Sequence, residues 1–294
     1  MRTRLLTGIA LIACLLGLAW ADAQVPPLPL RDGMQVHGSL FLAVALLVLA
    51  PGLAWELSTM GRGAGVRTSP WVGALAAILG CVVVAGAGLP EGARQLTLWI
   101  ALPPLAIVAL AAVVATRAQR VDGVGAACGM AMLCYALIGL ALGSWVALRS
   151  STDAWTLAAV VLIVKSSDIG AYFTGHAIGR HKLIPWLSPG KTWEGFIGGV
   201  ALACAVGAAV GAWGGLDAID VRAGLLMGGA MGLVGPFGDL LESALKRGAG
   251  MKDSGRIIPG MGGLFDVLDS LLLAGPVAWL LIGPDSPSAT LTSP

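Results

Sequence analysis

Charge is what this chain has least of. Only 12% of its 294 residues are Asp, Glu, Lys or Arg, about half the ~25% that soluble domains carry. With 57% apolar residues and a mean hydropathy of +0.86, it could not clothe a water-facing surface. That excludes an ordinary soluble protein. Paired cysteines are absent as well. Cys14, Cys81, Cys128, Cys134 and Cys204 all lie in apolar runs and none forms a CxxC pair. This excludes a disulfide framework and a cysteine zinc site, and leaves the cysteines as small apolar packing residues. No stretch is long and polar enough for a separate soluble domain, and no internal repeat is visible.

What the chain has instead is long apolar runs. A bilayer core takes about 20 apolar residues per helix, and nine such segments recur at 5–21, 39–57, 71–89, 97–115, 124–148, 154–176, 194–213, 221–242 and 266–283. The expected fold is therefore all-α, a polytopic membrane helical bundle. Lys and Arg concentrate on cytoplasmic sides. With the N-terminus inside, the inner segments hold Arg2, Arg4, Arg62, Arg67, Arg117, Arg120, Arg180, Lys182, Lys191, Lys246, Arg247, Lys252 and Arg256, 13 of the 18 basic residues. The first segment has a second reading. Arg2 and Arg4, an apolar run and Ala21-Asp22-Ala23 also fit a signal peptide with its cleavage site, and the run ending at Cys14 is similar to a lipoprotein cleavage box. Glycines four apart, as in Gly207/Gly211/Gly215 and Gly224/Gly228/Gly232, predict closely packed helices.

Charge in or beside a span is costly and marks function by default. Here it gathers in two stretches, Lys165 to Glu194 and Gly238 to Ser270, both cytoplasmic on this topology. Asp239, Glu242, Ser243 and Lys246 fall at i, i+3, i+4 and i+7 on one helix face; Asp266, Asp269 and Ser270 repeat the spacing. Acidic faces flanked by Lys and Arg suit a divalent cation carrying a polyphosphate. The glycines at 260–263 would let backbone N–H groups approach phosphate. Structural ion pairing, such as Glu242 with Lys246 or Lys165 with Asp168, is the alternative. Gly190-Lys191-Thr192 is no P-loop, because that motif needs Gly where Pro185 stands and a strand before it.

The stretch from Ser243 through Lys246-Arg247, Lys252-Asp253, Pro259, Met261-Gly262-Gly263 and Asp266 to Asp269 resembles the signature of the phosphatidate cytidylyltransferases. Asp168-Ile-Gly-Ala-Tyr172, Lys182-Leu-x-Pro and Ser188-Pro-Gly-Lys-Thr-Trp-Glu194-Gly resemble that family too. The N-terminal half is similar only in its hydrophobicity, in Arg4 and Thr7-Gly8, and in Trp55-Glu56. Met261 and Val267 depart from the family's usual His and Arg.

The resemblance implies a dimeric enzyme of the inner (cytoplasmic) membrane, its site open to the cytoplasm and to lipid. It implies that CTP and phosphatidic acid become CDP-diacylglycerol and pyrophosphate, with no part for nucleic acid. It implies Mg²⁺ at Asp239 and Asp266, with a second, monovalent cation such as K⁺. On that reading Lys246, Arg247 and Lys252 balance triphosphate charge, and Asp253 and Asp269 complete the metal shell or orient cations. Ser188, Lys191, Thr192, Glu194, Ser243, Gly262 and Gly263 shape the substrate-binding region, and Asp168 lines the cavity. Residues 1–150 form the N-terminal transmembrane helices; 151–294 form the catalytic region, with cytoplasmic loops at 177–193 and 243–265. The rival readings are another CTP-dependent lipid enzyme (a polyprenol or phytol kinase, or an ether-lipid cytidylyltransferase) and a secondary transporter, which would show repeats and mid-membrane charge.

Overall fold

In the computed structural model the described residues are 2–26, 28–29, 35–86, 93–117 and 121–283. They form nine helices: α1 (Arg2–Gln24), α2 (Ser39–Gly63), α3 (Pro70–Ala85), α4 (Ala93–Thr116), α5 (Val124–Ser151), α6 (Ala154–Ile178), α7 (Trp193–Trp213), α8 (Val221–Gly248) and α9 (Phe265–Ile282). Eight contain segments long and apolar enough to cross a membrane; α3 is shorter over its described length. The nine expected spans thus match nine helices, and the protein is an integral membrane protein. The expected end of the third span at 89, and Arg120 of the charge count, lie outside the described residues.

Two departures from an all-helical chain have local causes. Short antiparallel pairs join β1 (Leu28–Pro29) to β2 (Gln35–Val36), and β3 (Lys182–Ile184) to β4 (Ser188–Thr192). β3 therefore does precede the 185–192 stretch, contrary to the sequence reading, but Pro185 still stands where a P-loop needs Gly, and Gly190-Lys191-Thr192 lies within β4 rather than in a loop. The second concerns α8, which continues to Gly248 instead of ending at 242. Ser243, Lys246 and Arg247 are thus helical, not loop residues. The helix stops where Gly250 takes φ +67, with Gly250 N–H on the Arg247 carbonyl and Met251 N–H on the Lys246 carbonyl, a left-handed C-terminal cap.

The chain divides into two compact units that alternate along the sequence. The first comprises residues 1–9, 40–147 and 245–267. Its helices α2 and α3, α3 and α5, and α4 and α5 pack together around fully buried Leu53, Leu57, Met60, Ile107 and Ile138. In α2, residues Ala45–Leu49 widen to π-helical spacing, directly before Pro51, which has no N–H for the regular ladder.

The second unit comprises 10–39, 148–244 and 268–294. Here α6 packs along α7, and the β3–β4 hairpin joins them. A Cβ on Gly207 would run into the Gly224 carbonyl, so α7 and α8 touch backbone to backbone, as small-residue spacing predicts for helices in lipid. Exposed Trp155, Trp193 and Trp213 of this unit, like Trp71 of the first, stand at helix ends, where amphipathic rings favour the membrane–water boundary.

Candidate active site

Charged side chains converge in each unit separately. In the first, the carboxylate of Asp266, in the first turn of α9, is almost fully hydrogen-bonded. Its Oδ2 accepts from Gly263 N–H (2.7 Å), Ser254 N–H (2.8 Å) and the Ser254 hydroxyl (2.8 Å). Its Oδ1 accepts from Lys246 Nζ at 2.7 Å. Gly262, at φ +111, turns the chain so tightly beside Asp266 that a side chain there would strike the carboxylate.

The loop before α9 is closed by Ile258 and Gly262, whose backbones pair. Met261 and Gly262 N–H groups both point to the Ile258 carbonyl, and Gly263 N–H goes to Asp266. Of the N–H groups expected to cradle phosphate, those of Met261, Gly262 and Gly263 are thus spent within the loop. Lys252, Asp253, Arg256 and Met261 surround a hollow of about 340 Å³ on this loop. Arg247, Lys252 and Arg256 are exposed and pair with no carboxylate among the described residues.

In the second unit, acidic groups from three helices meet. Asp239 (α8) lies within hydrogen-bonding reach of Asp269 (α9), and is near enough to Asp168 (α6) to repel it. Lysines answer them. Lys191 Nζ is 3.1 Å from Asp239 Oδ2 and donates to the Pro236 carbonyl. Lys165 lies 3.2 Å from Asp168 and donates to the Ser270 hydroxyl at 2.6 Å. The Lys165–Asp168 pairing left open by the sequence is therefore present, extended to a third helix.

A cavity of about 550 Å³ opens beside this cluster, walled by Asp168, Lys182, Lys191, Thr192 and Asp239 among others. Ser188 and Glu194 are not on its wall. Glu194 instead accepts from His181 N–H and meets its ring Nδ1 at 2.6 Å, and Thr192 caps α7 by accepting from Gly195 N–H. Both hold the hairpin to the helix that follows it.

Sequence reasoning had no role for Glu56 or Ser254. Glu56 is 3% exposed on α2, and its carboxylate accepts from Leu264 N–H, Phe265 N–H and the Ser254 hydroxyl. A lone carboxylate in an apolar span was the signal available. Ser254 carried none.

The fold and these clusters define a polytopic helical membrane protein with carboxylates and lysines gathered in each of its two units. The sequence matches the cytidylyltransferase family across residues 3–283, and the chain belongs to that family. It is 44% identical to the phosphatidate cytidylyltransferase of Brucella suis biovar 1 (strain 1330) over 149 residues, 47% of this chain and 52% of that one. It is 35% identical to the Mycobacterium bovis phosphatidate cytidylyltransferase over 140 residues, 48% and 45% of the two chains. A third relative, the uncharacterized protein YnbB of Escherichia coli (strain K12), is 37% identical over 150 residues, half of each chain. The matched stretch spans about half the length of these curated relatives.

Proposed function

We propose that this protein transfers the cytidylyl group of CTP to phosphatidic acid, producing CDP-diacylglycerol and pyrophosphate for phospholipid synthesis. A phosphate oxygen of the lipid attacks the α-phosphorus of CTP. The bond from that phosphorus to the α,β-bridging oxygen breaks, and pyrophosphate departs with its electrons. The attacking oxygen is already ionised near neutral pH, so the chemistry needs charge control more than a general base. One observation carries the reading: Asp168, Lys191 and Asp239 share the wall of a single cavity in an otherwise apolar bundle, where such charge is costly unless used.

Mg²⁺ is commonly held by one or two carboxylates, with water and substrate phosphates completing its shell. The donors fit that habit: they are aspartates, and among the described residues no three or more His, Cys, Asp or Glu form a ready cage. From the resemblance we assign Mg²⁺ binding to Asp266 in the first unit and to Asp239 in the second, with K⁺ as a second cation. Bound there, Mg²⁺ supplies neutralising charge to the phosphates. Lys246, Arg247 and Lys252 balance the triphosphate and the departing pyrophosphate. Asp253 and Asp269 orient the cations, and Lys191 and Asp168 position the substrate from the cavity wall. The site faces the cytoplasm, where CTP is found, from the inner membrane of a homodimer.

The test uses purified protein in detergent with phosphatidic acid, radiolabelled CTP and Mg²⁺. Lipid-bound label with stoichiometric pyrophosphate is expected from wild type, and almost none from Asp266→Asn or after chelation. Release of CDP instead of pyrophosphate would replace this reading with a kinase.

A further inference from the structure

The least expected element of the first charged cluster is Glu56, which comes from α2, some 200 residues before the residues it binds. Its Oε1 accepts from Leu264 N–H at 2.9 Å, and its Oε2 from Phe265 N–H at 2.8 Å. These are the last N–H before α9 and the first within it. Glu56 therefore caps α9 from another helix, placing a carboxylate where the helix dipole is positive.

Its Oε2 also lies 3.0 Å from the Ser254 hydroxyl, which is itself 2.8 Å from Asp266 Oδ2. A hydroxyl has one proton, so it donates to one carboxylate at a time and ties the two together. The loop is also shaped around Glu56. A Cβ on Gly255 or on Gly263 would collide with the Glu56 carboxylate. A side chain filling either space would push Glu56 away or move the loop.

We infer that Glu56 is a positioning residue: through Ser254 and the start of α9 it fixes the turn that presents the Asp266 carboxylate. This rests on the assignment of Asp266 to Mg²⁺ and nucleotidyl transfer. Glu56 itself touches no reacting atom. Its carboxylate accepts from two backbone N–H groups of the turn and shares the Ser254 hydroxyl with Asp266, and partners that orient a metal ligand typically govern about 10–100-fold in affinity or activity.

Glu56→Gln is nearly isosteric, but it turns one acceptor into an NH₂ facing N–H donors. Purified wild type and Glu56→Gln are compared in three ways: Mn²⁺ affinity by electron paramagnetic resonance, hydrogen exchange of peptides covering 252–266, and kcat and KM for CTP. The inference expects Mn²⁺ affinity weakened about tenfold, exchange accelerated within 252–266 alone, and kcat lowered about tenfold or more with KM for CTP nearly unchanged. Glu56→Asp, which keeps the charge, recovers part of the loss.

Ser254→Ala provides the second variant should Glu56→Gln fail to fold. It keeps both N–H caps and cuts only the link to Asp266, and the same shifts are expected at smaller size. A folded Glu56→Gln or Ser254→Ala protein that binds Mn²⁺ and turns over like wild type overturns the inference. A wild type that makes no CDP-lipid, yet binds Mn²⁺ in a Glu56-dependent way, overturns the proposed reaction and supports the positioning role.

Discussion

Lys246 donates to Oδ1 of Asp266 at 2.7 Å, with the two side chains only 14% and 8% exposed. The other oxygen of Asp266 accepts from the Ser254 and Gly263 N–H groups and shares the Ser254 hydroxyl with Glu56. The carboxylate is thus locked in one orientation with Lys246 as a counter-charge in direct contact. Any ligand that binds Asp266 must share it with Lys246, which places that ammonium beside the ligand.

Lys246→Met is expected to have two effects. Losing one member of a largely buried pair costs about 3 kcal/mol, seen as a lower melting temperature in detergent. Turnover falls by about 10²-fold, the scale for removing one preorganised charge donor. Lys246→Arg keeps the charge and loses less. Wild-type turnover in Lys246→Met would remove Lys246 from the reaction.

In the second unit, Arg149 Nε meets Asp22 Oδ2 at 2.6 Å, both residues being buried. Asp22→Ala leaves a buried guanidinium with the Thr152 carbonyl and is expected to cost about 3–5 kcal/mol. Replacing both, as Asp22→Ala with Arg149→Met, should recover most of that in a thermal melt. Equal melting of the single and double variants would show that the pair does not matter. The pair also bears on the Ala21-Asp22-Ala23 stretch, since a cut after Ala23 would take this partner from Arg149.

Gly207→Val tests the backbone contact between α7 and α8. The Gly224 carbonyl that it would strike is part of a helix and cannot swing aside as a side chain could. Overpacking costs about 1–3 kcal/mol, sometimes more, so the variant should melt early or fail to accumulate in membranes. Gly129→Ala, where an added Cβ meets only open space, should lose far less. A Gly207→Val protein as stable as wild type would refute the close approach.

Met261 is 38% exposed at the rim of the loop hollow. If no general base is needed, Met261→His should leave kcat within about threefold of wild type and its pH profile unchanged, because the lipid phosphate is already ionised. A large gain in kcat with a new ionisation near pH 6–7 would show that a proton carrier at 261 does matter.

The helices, their number and the residues worth suspecting were legible in the chain because each depends on local composition. Apolar length sets a span, and a charge inside such a span stands out against it. Asp168, Lys191, Asp239, Lys246, Asp266 and Asp269 were all found this way, and the structure gives each a charged partner. Local composition could not say which partner each would take. Nothing in its own helix pointed to Asp266 on α9, to which Lys246 is bonded. Glu194 read as a substrate contact, yet it ties the hairpin to α7, and Thr192, which does wall the cavity, also caps that helix. The glycines at 262 and 263 read as a phosphate cradle, yet their N–H groups close the loop on itself.

Glu56 marks the division most sharply. The chain by itself determined that a costly carboxylate sits in the second span. Only the tertiary structure decided that it caps α9 and holds Ser254, because a hydrogen bond between residues about 200 positions apart leaves no periodicity in either segment. It exists only once the packing of the helices has brought the two together.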